Sequence, residues 1–389
     1  MRQMPSQYEY YHTNNFLPSI AHLKNYEDFK KYANIRVNLY QRHLGIPVSL
    51  LSNQKVLEVG CGTGDNALVF ASAGCRMTLL DADENIWESL FANFKRFGLD
   101  DQIEGTHCTN VSDFNPEVSY NLIMAEGFLF TCEDRNEILL KLVDKLVPGG
   151  FISVSYPDTI GSFMEFLKKA AFIKGLILND IENPLSKNAI EFGRTLFGDA
   201  HSTLHNPRSF ETWLIDCIAS PFLQADMCWT AESIIRKLLP KNMIYYSSSP
   251  SIHEIDILSW YKDVSSTDQW NEAALIGHSA RSASFVFGEK VTFPSEESAT
   301  TFKSETVRFV ERLSAWFTEP EKDLQAPKKH WFKSLEQTKI APALIEDLKV
   351  FFEALNSSSK DHYDMHITMS KKILSCWGKS YHYLVMQAC

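Results

Sequence analysis

Apolar positions change their rhythm several times along the chain, and each change marks an element. Residues 1–50 form a polar, tyrosine-rich lead-in followed by a helical pattern with apolar positions at Ala33, Ile35, Val37, Leu39 and Leu44. From Val56 the period shortens. Val56-Leu57-Glu58-Val59 predicts a strand that runs into Gly60-Cys61-Gly62-Thr63-Gly64, and Asp65 to Ala73 predicts a helix stopped at Gly74. Met77-Thr78-Leu79-Leu80 predicts a second strand, ending at Asp81. A helix over Ile86 to Phe97 is stopped by Gly98, and a weak third strand follows near Ile103 to Cys108. Tyr120 to Met124 predicts a fourth strand, Glu137 to Leu146 a helix, and Phe151 to Ser155 a fifth strand after the Pro148-Gly149-Gly150 turn. Strands alternating with helices in this way imply a parallel sheet with helices on both faces.

Beyond Asp158 the pattern loosens. Helices are expected over Ser162 to Leu178, Phe210 to Ile218 and Ala231 to Leu239, with a polar stretch of mixed character from Asp180 to Asn206. Met243-Ile244-Tyr245-Tyr246 predicts a sixth strand, and Ala283-Ser284-Phe285-Val286-Phe287 a seventh. Helices are then expected over Glu305 to Phe317, Ala341 to Leu355 and Tyr363 to Leu384, interrupted by Asn356-Ser357-Ser358-Ser359. The expected organisation is a helical lead-in or lid over residues 1–50 and an α/β domain over 51–290. That domain carries an acceptor-pocket insertion at about 159–240, and a C-terminal helical region follows over 291–389.

Composition narrows the function classes. The 389 residues are 44% hydrophobic and 22% charged, ordinary for a globular protein. The formal charge of −10 and the absence of a dense Lys/Arg run argue against a nucleic-acid acceptor, since such binding feeds on counterion release from a basic face. Eight scattered cysteines with no CxxC pair read as reduced thiols, and no carboxylate/His pattern calls for a metal. The polar N-terminus lacks the apolar core of a signal peptide. The most apolar stretch, Ala170 to Leu178, is interrupted by Lys174 and too short to span a bilayer. A cytoplasmic protein without membrane contact is the expectation.

The glycine turn between first strand and first helix brings backbone N–H groups close to a ligand. Its spacing is G-x-G-x-G, and no glycine closely follows Asp65, so the dinucleotide pattern G-x-G-x-x-G is missing. Val56 to Gly64 resembles the first motif of class I S-adenosylmethionine-dependent methyltransferases almost letter for letter. Leu79-Leu80-Asp81 resembles that family's second-strand end, and Leu146-Val147-Pro148-Gly149-Gly150-Phe151 its approach to strand five. The three matches span roughly residues 50–160. The resemblance implies a Rossmann-like methyltransferase fold, a seven-stranded mostly parallel sheet plus a C-terminal helical extension, with S-adenosylmethionine as cofactor and S-adenosylhomocysteine as product. It also implies cofactor contacts at Glu58, Gly60, Cys61, Gly62, Gly64, Asp81, Ala82, Asn110, Val111 and Glu126. Asp81 would hold the ribose diol and Glu58 the ammonium. Asn110 stands where the family often has an acid beside the adenine amine; Asp113 is the competing position, and Asp83 competes with Asp81.

The acceptor is harder to read. After strand four the chain has Ala125-Glu126-Gly127-Phe128-Leu129-Phe130 in place of the N/D-P-P-Y/F motif of base amino-methylation, which argues against adenine and cytosine acceptors. Glu126 is a candidate for accepting a proton or aligning an acceptor, and equally for a structural or cofactor-binding acid. His201 and His205 are candidate general bases, or surface loop histidines. The Tyr8, Tyr10, Tyr11, His12 cluster is a candidate lid or an apolar clamp. The Leu44-Gly45-Ile46-Pro47 lead-in is faintly similar to that of bacterial methyltransferases of polysaccharide or secondary-metabolite chemistry, a likeness that names no acceptor. The leading expectation is methyl transfer to an O or N atom of a small metabolite or sugar-type acceptor. The alternatives are a protein or peptide methyltransferase and a non-catalytic cofactor-binding interaction protein. The C-terminal helices are expected to serve as lid, acceptor wall, or surface for a second copy or protein partner.

Overall fold

The computed structural model describes Leu23 and residues 25–204, 209–252, 267–320 and 324–389. The Tyr8 to His12 cluster and His205 lie outside the described residues. In chain order the main elements are α1 (Tyr26–Asn38), β1 (Lys55–Val59), α2 (Asp65–Ser72), β2 (Arg76–Asp81), α3 (Ile86–Phe97), β3 (Ile103–Cys108), β4 (Tyr120–Glu126), α4 (Arg135–Val143) and β5 (Leu146–Pro157). They continue with α5 (Phe163–Leu178), α6 (Lys187–Ser202), α7 (Ala231–Leu238), β6 (Met243–Ser249) and α8 (Thr267–Phe287). The last are α9 (Glu296–Thr318), α10 (Gln325–Leu335), α11 (Pro342–Asn356), α12 (Lys360–Met369) and β7 (Tyr381–Ala388).

The seven strands form one sheet in the order β3-β2-β1-β4-β5-β7-β6. β1 pairs in parallel with β2 and β4, β2 with β3, and β4 with β5, whereas β6 and β7 run antiparallel. The strand order reverses between β1 and β4. Open sheets of this kind take their ligands at the carboxyl ends of the strands beside that reversal. The chain divides into two compact units. The sheet unit takes the described residues up to Tyr156, Ala231–Gly277 and His382–Cys389; the helical unit takes Pro157–Thr230 and His278–Tyr381. The expected boundary near 290 therefore falls inside one unit, and the expected insertion at 159–240 largely shares that unit with most of the C-terminal helices.

Local chemistry explains most element ends. Asn25 caps α1 by accepting the Asp28 backbone N–H at 2.9 Å, and Gly98 closes α3 in the left-handed conformation. In the sheet unit Val56, Leu79, Leu122 and Met124 from three strands join Tyr40, Phe70 and Val385 in one buried cluster. The helical unit has an aromatic core of its own. Phe163 stacks on Trp331 at 4.6 Å and Phe309 on Phe352 at 5.6 Å, while the buried Trp331 indole donates to Thr306 Oγ1 at 3.0 Å. Each fully buried aromatic contributes on the order of 2–3 kcal/mol of burial free energy.

The structure corrects two expected elements and adds two, one of them α10, which lies between the expected C-terminal helices. Ala283 to Phe287 is not a strand but the end of the 21-residue helix α8. A five-residue apolar run fits a buried helix end as well as a strand, and here Ala283, Phe285, Val286 and Phe287 are all buried. The seventh strand is Tyr381–Ala388, whose first residues were expected to end a long helix from Tyr363. That helix stops at Met369, and Gly378 then approaches the backbone of Gly161 and Phe285 too closely for any side chain. The stretch read as mixed between Asp180 and Asn206 contains α6, started by Ser186 accepting the Ala189 N–H.

Candidate functional site

The carboxyl ends of β1, β2 and β4 gather the sequence-predicted cofactor residues in the sheet unit. Gly60, Gly62 and Gly64 all take positive φ, and Gly64 is the N-cap of α2. At Gly60 a Cβ would lie 2.6 Å from the Phe128 ring, so no other residue fits between the loop and that ring. At Gly62, φ +50°, a Cβ would meet nothing within 4 Å; glycine is needed there for its backbone, and the space above it is open. The loop is pinned to the neighbouring strand, since the N–H groups of Gly60 and Cys61 both donate to the Leu80 carbonyl, at 2.8 and 3.1 Å. Burial pushes the Cys61 thiol well up, which makes it an inert filler in this turn.

Asp81 ends β2 facing this loop. Its Oδ2 accepts the Gly62 N–H at 2.9 Å and its Oδ1 the Asp83 N–H at 3.0 Å. Burial raises its carboxyl above the usual range, opposed by backbone donors at Asp83, Gly62 and Ala82. The two oxygens have lone-pair capacity beyond these backbone donors, so the group is oriented and can still accept a diol. Asp83 is engaged in a turn of its own, accepting from the Asn85 N–H at 2.9 Å. Glu58, at the end of β1, is 3% exposed, and its Oε2 has no hydrogen-bond partner. Burial drives its carboxyl well above the usual range, helped by the charges of Asp65 and Glu126 and opposed by Arg36. An orphaned carboxylate oxygen beside an open glycine loop fits a cationic ligand group. These residues fit S-adenosylmethionine, with Asp81 suited to its ribose diol and Glu58 to its ammonium.

Asn110 lies after β3, exposed, with its side-chain oxygen turned back on Ser112, accepting the backbone N–H at 3.1 Å and the hydroxyl at 2.7 Å. The turn is tied to β2 because the Thr109 N–H donates to the Asp81 carbonyl at 3.2 Å. Val111 is half-buried in the same turn, and Ala82 is exposed directly after Asp81. Asp113 is exposed, its own N–H donating to the Asn110 carbonyl.

Glu126, at the end of β4, is almost wholly engaged. Its Oε2 lies 2.5 Å from Arg36 Nη2, with the two side chains 6% and 7% exposed. Its Oε1 accepts from the Tyr40 hydroxyl and from Ser153 Oγ, the latter at 2.9 Å. Arg36 also donates to the Tyr383 hydroxyl at 3.2 Å and lies over the rings of Tyr40 and Tyr383. One helix turn earlier Tyr32 donates to Asn66 Oδ1 on α2. The network joins the lead-in helix, β4, β5 and β7 at the mouth of the glycine loop. Burial raises the Tyr32, Tyr40 and Tyr383 phenols, and the Glu126 carboxylate lifts Arg36 well above its usual value despite burial, so Arg36 remains charged.

Sequence reading missed Tyr32, Arg36, Tyr40, Ser153 and Tyr383. A signal existed for three of them, because Tyr32, Arg36 and Tyr40 recur every four residues and share one helix face. His201 lies in the helical unit, at the end of α6, with its ring against Phe210 and Trp213 and its Nε2 buried without a hydrogen-bond partner. Burial lowers its pKa, with Arg194 adding to the shift. All eight cysteines are free. Among the described residues no helix is long and apolar enough to cross a membrane, and no group of three or more His, Cys, Asp or Glu side chains gathers as a metal site.

Residues 56–150 match the methyltransferase domain family. No curated protein matches the chain in sequence. Among solved structures, the chain is similar to the glycopeptide N-methyltransferase MtfA complexed with S-adenosylmethionine, at 16% identity over 32% of this chain and 50% of that one, TM-score 0.28. It is similar to PKMT2 from Rickettsia typhi at 18% identity over 62% of this chain and 49% of that one, TM-score 0.43. For the CcbJ methyltransferase from Streptomyces caelestis the identity is 19%, over 32% of this chain and 57% of that one, TM-score 0.27. The chain thus spans about half the length of the structures it matches, and at these scores they carry no argument about its activity. The family match falls on β1 through the start of β5, the stretch that holds the glycine loop, Asp81 and Glu126. By its motifs, its strand order and that match, residues 56–150 are a class I S-adenosylmethionine-dependent methyltransferase domain.

Proposed function

We propose that the protein transfers the methyl group of S-adenosylmethionine to an O or N atom of a small-molecule acceptor, of metabolite or sugar type. The observation that carries this reading is the pairing of an oriented Asp81 with the orphaned, buried Glu58 oxygen on either side of the glycine loop. The cofactor supplies an activated methyl group, so the protein's main task is alignment. Asp81 fixes one end of the cofactor site and Glu58 the other. Arg36, Tyr40 and Ser153 hold Glu126 in one orientation at the strand end, which suits it to positioning better than to taking up a proton. The acidic balance of the chain and the missing base-methylation motif support an acceptor other than nucleic acid.

Calorimetric titration with S-adenosylmethionine and S-adenosylhomocysteine tests the cofactor reading, with micromolar binding of both expected and no binding of either overturning it. Labelled cofactor incubated with a metabolite extract and with a protein lysate then separates acceptor classes. Label in the small-molecule fraction is expected; label confined to protein bands moves the assignment to a protein methyltransferase.

A further inference from the structure

Helix α12 carries four metal-ligating side chains at residues 362, 365, 366 and 369, a spacing that places them along one face. Tyr363 and Ile367 are buried on the opposite face. His362 is exposed, His366 half-buried, and Met365 and Met369 are 51% and 62% exposed.

The two imidazoles are held for ligation. Their ring centroids lie 4.1 Å apart, with planes inclined by 55°. His366 Nδ1 lies 2.8 Å from the His362 carbonyl oxygen, which can only accept, so Nδ1 carries the hydrogen. His362 Nδ1 lies 2.7 Å from Ser357 Oγ. With the Ser357 hydroxyl hydrogen on the Glu353 carbonyl, 2.9 Å away, Ser357 accepts from His362 and that ring too carries its hydrogen on Nδ1. In that arrangement each ring, in its neutral form, leaves Nε2 as a bare lone pair. Neither Nε2 has a hydrogen-bond partner among the described residues. A protein oxygen held against Nδ1 with Nε2 free is the arrangement that orients histidine for a metal.

We propose that His362 and His366 form a surface site for a borderline-to-soft transition-metal ion, copper before nickel or zinc, with the Met365 and Met369 thioethers adding affinity for Cu(I). Two imidazoles four residues apart on a helix present both lone pairs to one ion, and solvent fills the remaining positions of a divalent cation. For an N-ligand pair of this kind affinity rises to a maximum at Cu(II), and thioethers select the cuprous state. The inference is independent of the methyl-transfer reading.

The test uses the untagged full chain, titrated with Cu(II) in the presence of glycine as competitor and followed by electron paramagnetic resonance. One ion per chain with nitrogen superhyperfine structure is expected. His362→Ala or His366→Ala should each weaken it by about 10- to 100-fold, a loss of the size seen even when only a supporting partner is removed. The double variant should abolish it with an unchanged circular dichroism spectrum, since both side chains lie outside the core. Equal Cu(II) affinity in the double variant and the natural chain overturns the site. Met365→Leu with Met369→Leu should leave Cu(II) binding as it is and weaken Cu(I) binding, measured against a chromophoric Cu(I) chelator. Unchanged Cu(I) affinity would remove the thioethers from the proposal.

Discussion

Glu58 offers a perturbation in which two observables move in opposite senses. In the free protein its carboxyl is 3% exposed, one oxygen has no partner, and burial with the Asp65 and Glu126 charges raises its pKa well above the ordinary carboxyl value. A carboxyl whose folded pKa lies above its unfolded one contributes stability that is fully present below the unfolded value and lost as pH rises through the folded value. The free natural protein therefore carries a strained acid on the alkaline side of that window, and Glu58→Gln removes it without removing side-chain volume. Melting of the free variant should be equal or higher above the window. Cofactor binding should move the other way, because a charge-assisted hydrogen bond to the ligand ammonium contributes roughly 1.5–3 kcal/mol, or about 10- to 150-fold in affinity. Below the raised Glu58 pKa, ionising the group on binding also releases a proton. Titration in two buffers of different ionisation enthalpy should show that release in the natural chain and its loss in Glu58→Gln. A variant with natural affinity would refute the assignment of Glu58 to the ammonium.

Three further outcomes are expected. Asp81→Ala should weaken S-adenosylmethionine binding by about an order of magnitude or more through loss of two charge-assisted hydrogen bonds, read by calorimetry on the folded variant, and an unchanged constant would sink the ribose assignment. Gly60→Ala combines φ +70° with a Cβ 2.6 Å from the Phe128 ring, so thermal stability and cofactor affinity should both fall, and Phe128→Leu should restore part of the loss; no rescue would mean that the backbone conformation alone is responsible. Glu126→Ala leaves Arg36 charged in a site 7% exposed, a loss of about 3–5 kcal/mol, and Arg36→Met combined with Glu126→Leu should cost much less than the two single changes together. Glu126→Gln separates roles: a fall in turnover greater than in cofactor affinity indicates a group acting at the acceptor, and the reverse places it in the cofactor site.

Much of the sheet could be read from the chain because its strands are short apolar runs punctuated by glycine and proline, and the candidate site was legible as a proposal because G-x-G-x-G and Asp81 stand at strand ends. The seventh strand was misplaced for a physical reason. Ala283 to Phe287 and Tyr381 to Ala388 are both apolar runs, and only pairing with β6 distinguishes the second. The Arg36–Glu126 pair was hidden because its members are far apart in sequence and each alone resembles a solvated charge. His201 looked like a base by residue type; its position against Phe210 and Trp213 depends on packing that no local pattern encodes.

The path of the chain between its two units has a consequence for dissecting the molecule. It leaves the sheet unit after Tyr156, returns for Ala231–Gly277, leaves again, and returns at His382 to lay β7 between β5 and β6. Neither unit is a contiguous fragment. A recombinant piece ending near residue 290 would contain the glycine loop, Glu58, Asp81 and Glu126 and still fail as a folded sheet, because it would expose one edge each of β5 and β6 where β7 belongs. Unpaired inner edges of that kind template association with other chains. Such a piece should accumulate as aggregate, and supplying residues 376–389 as a separate peptide is the direct way to ask whether the gap can be filled in trans.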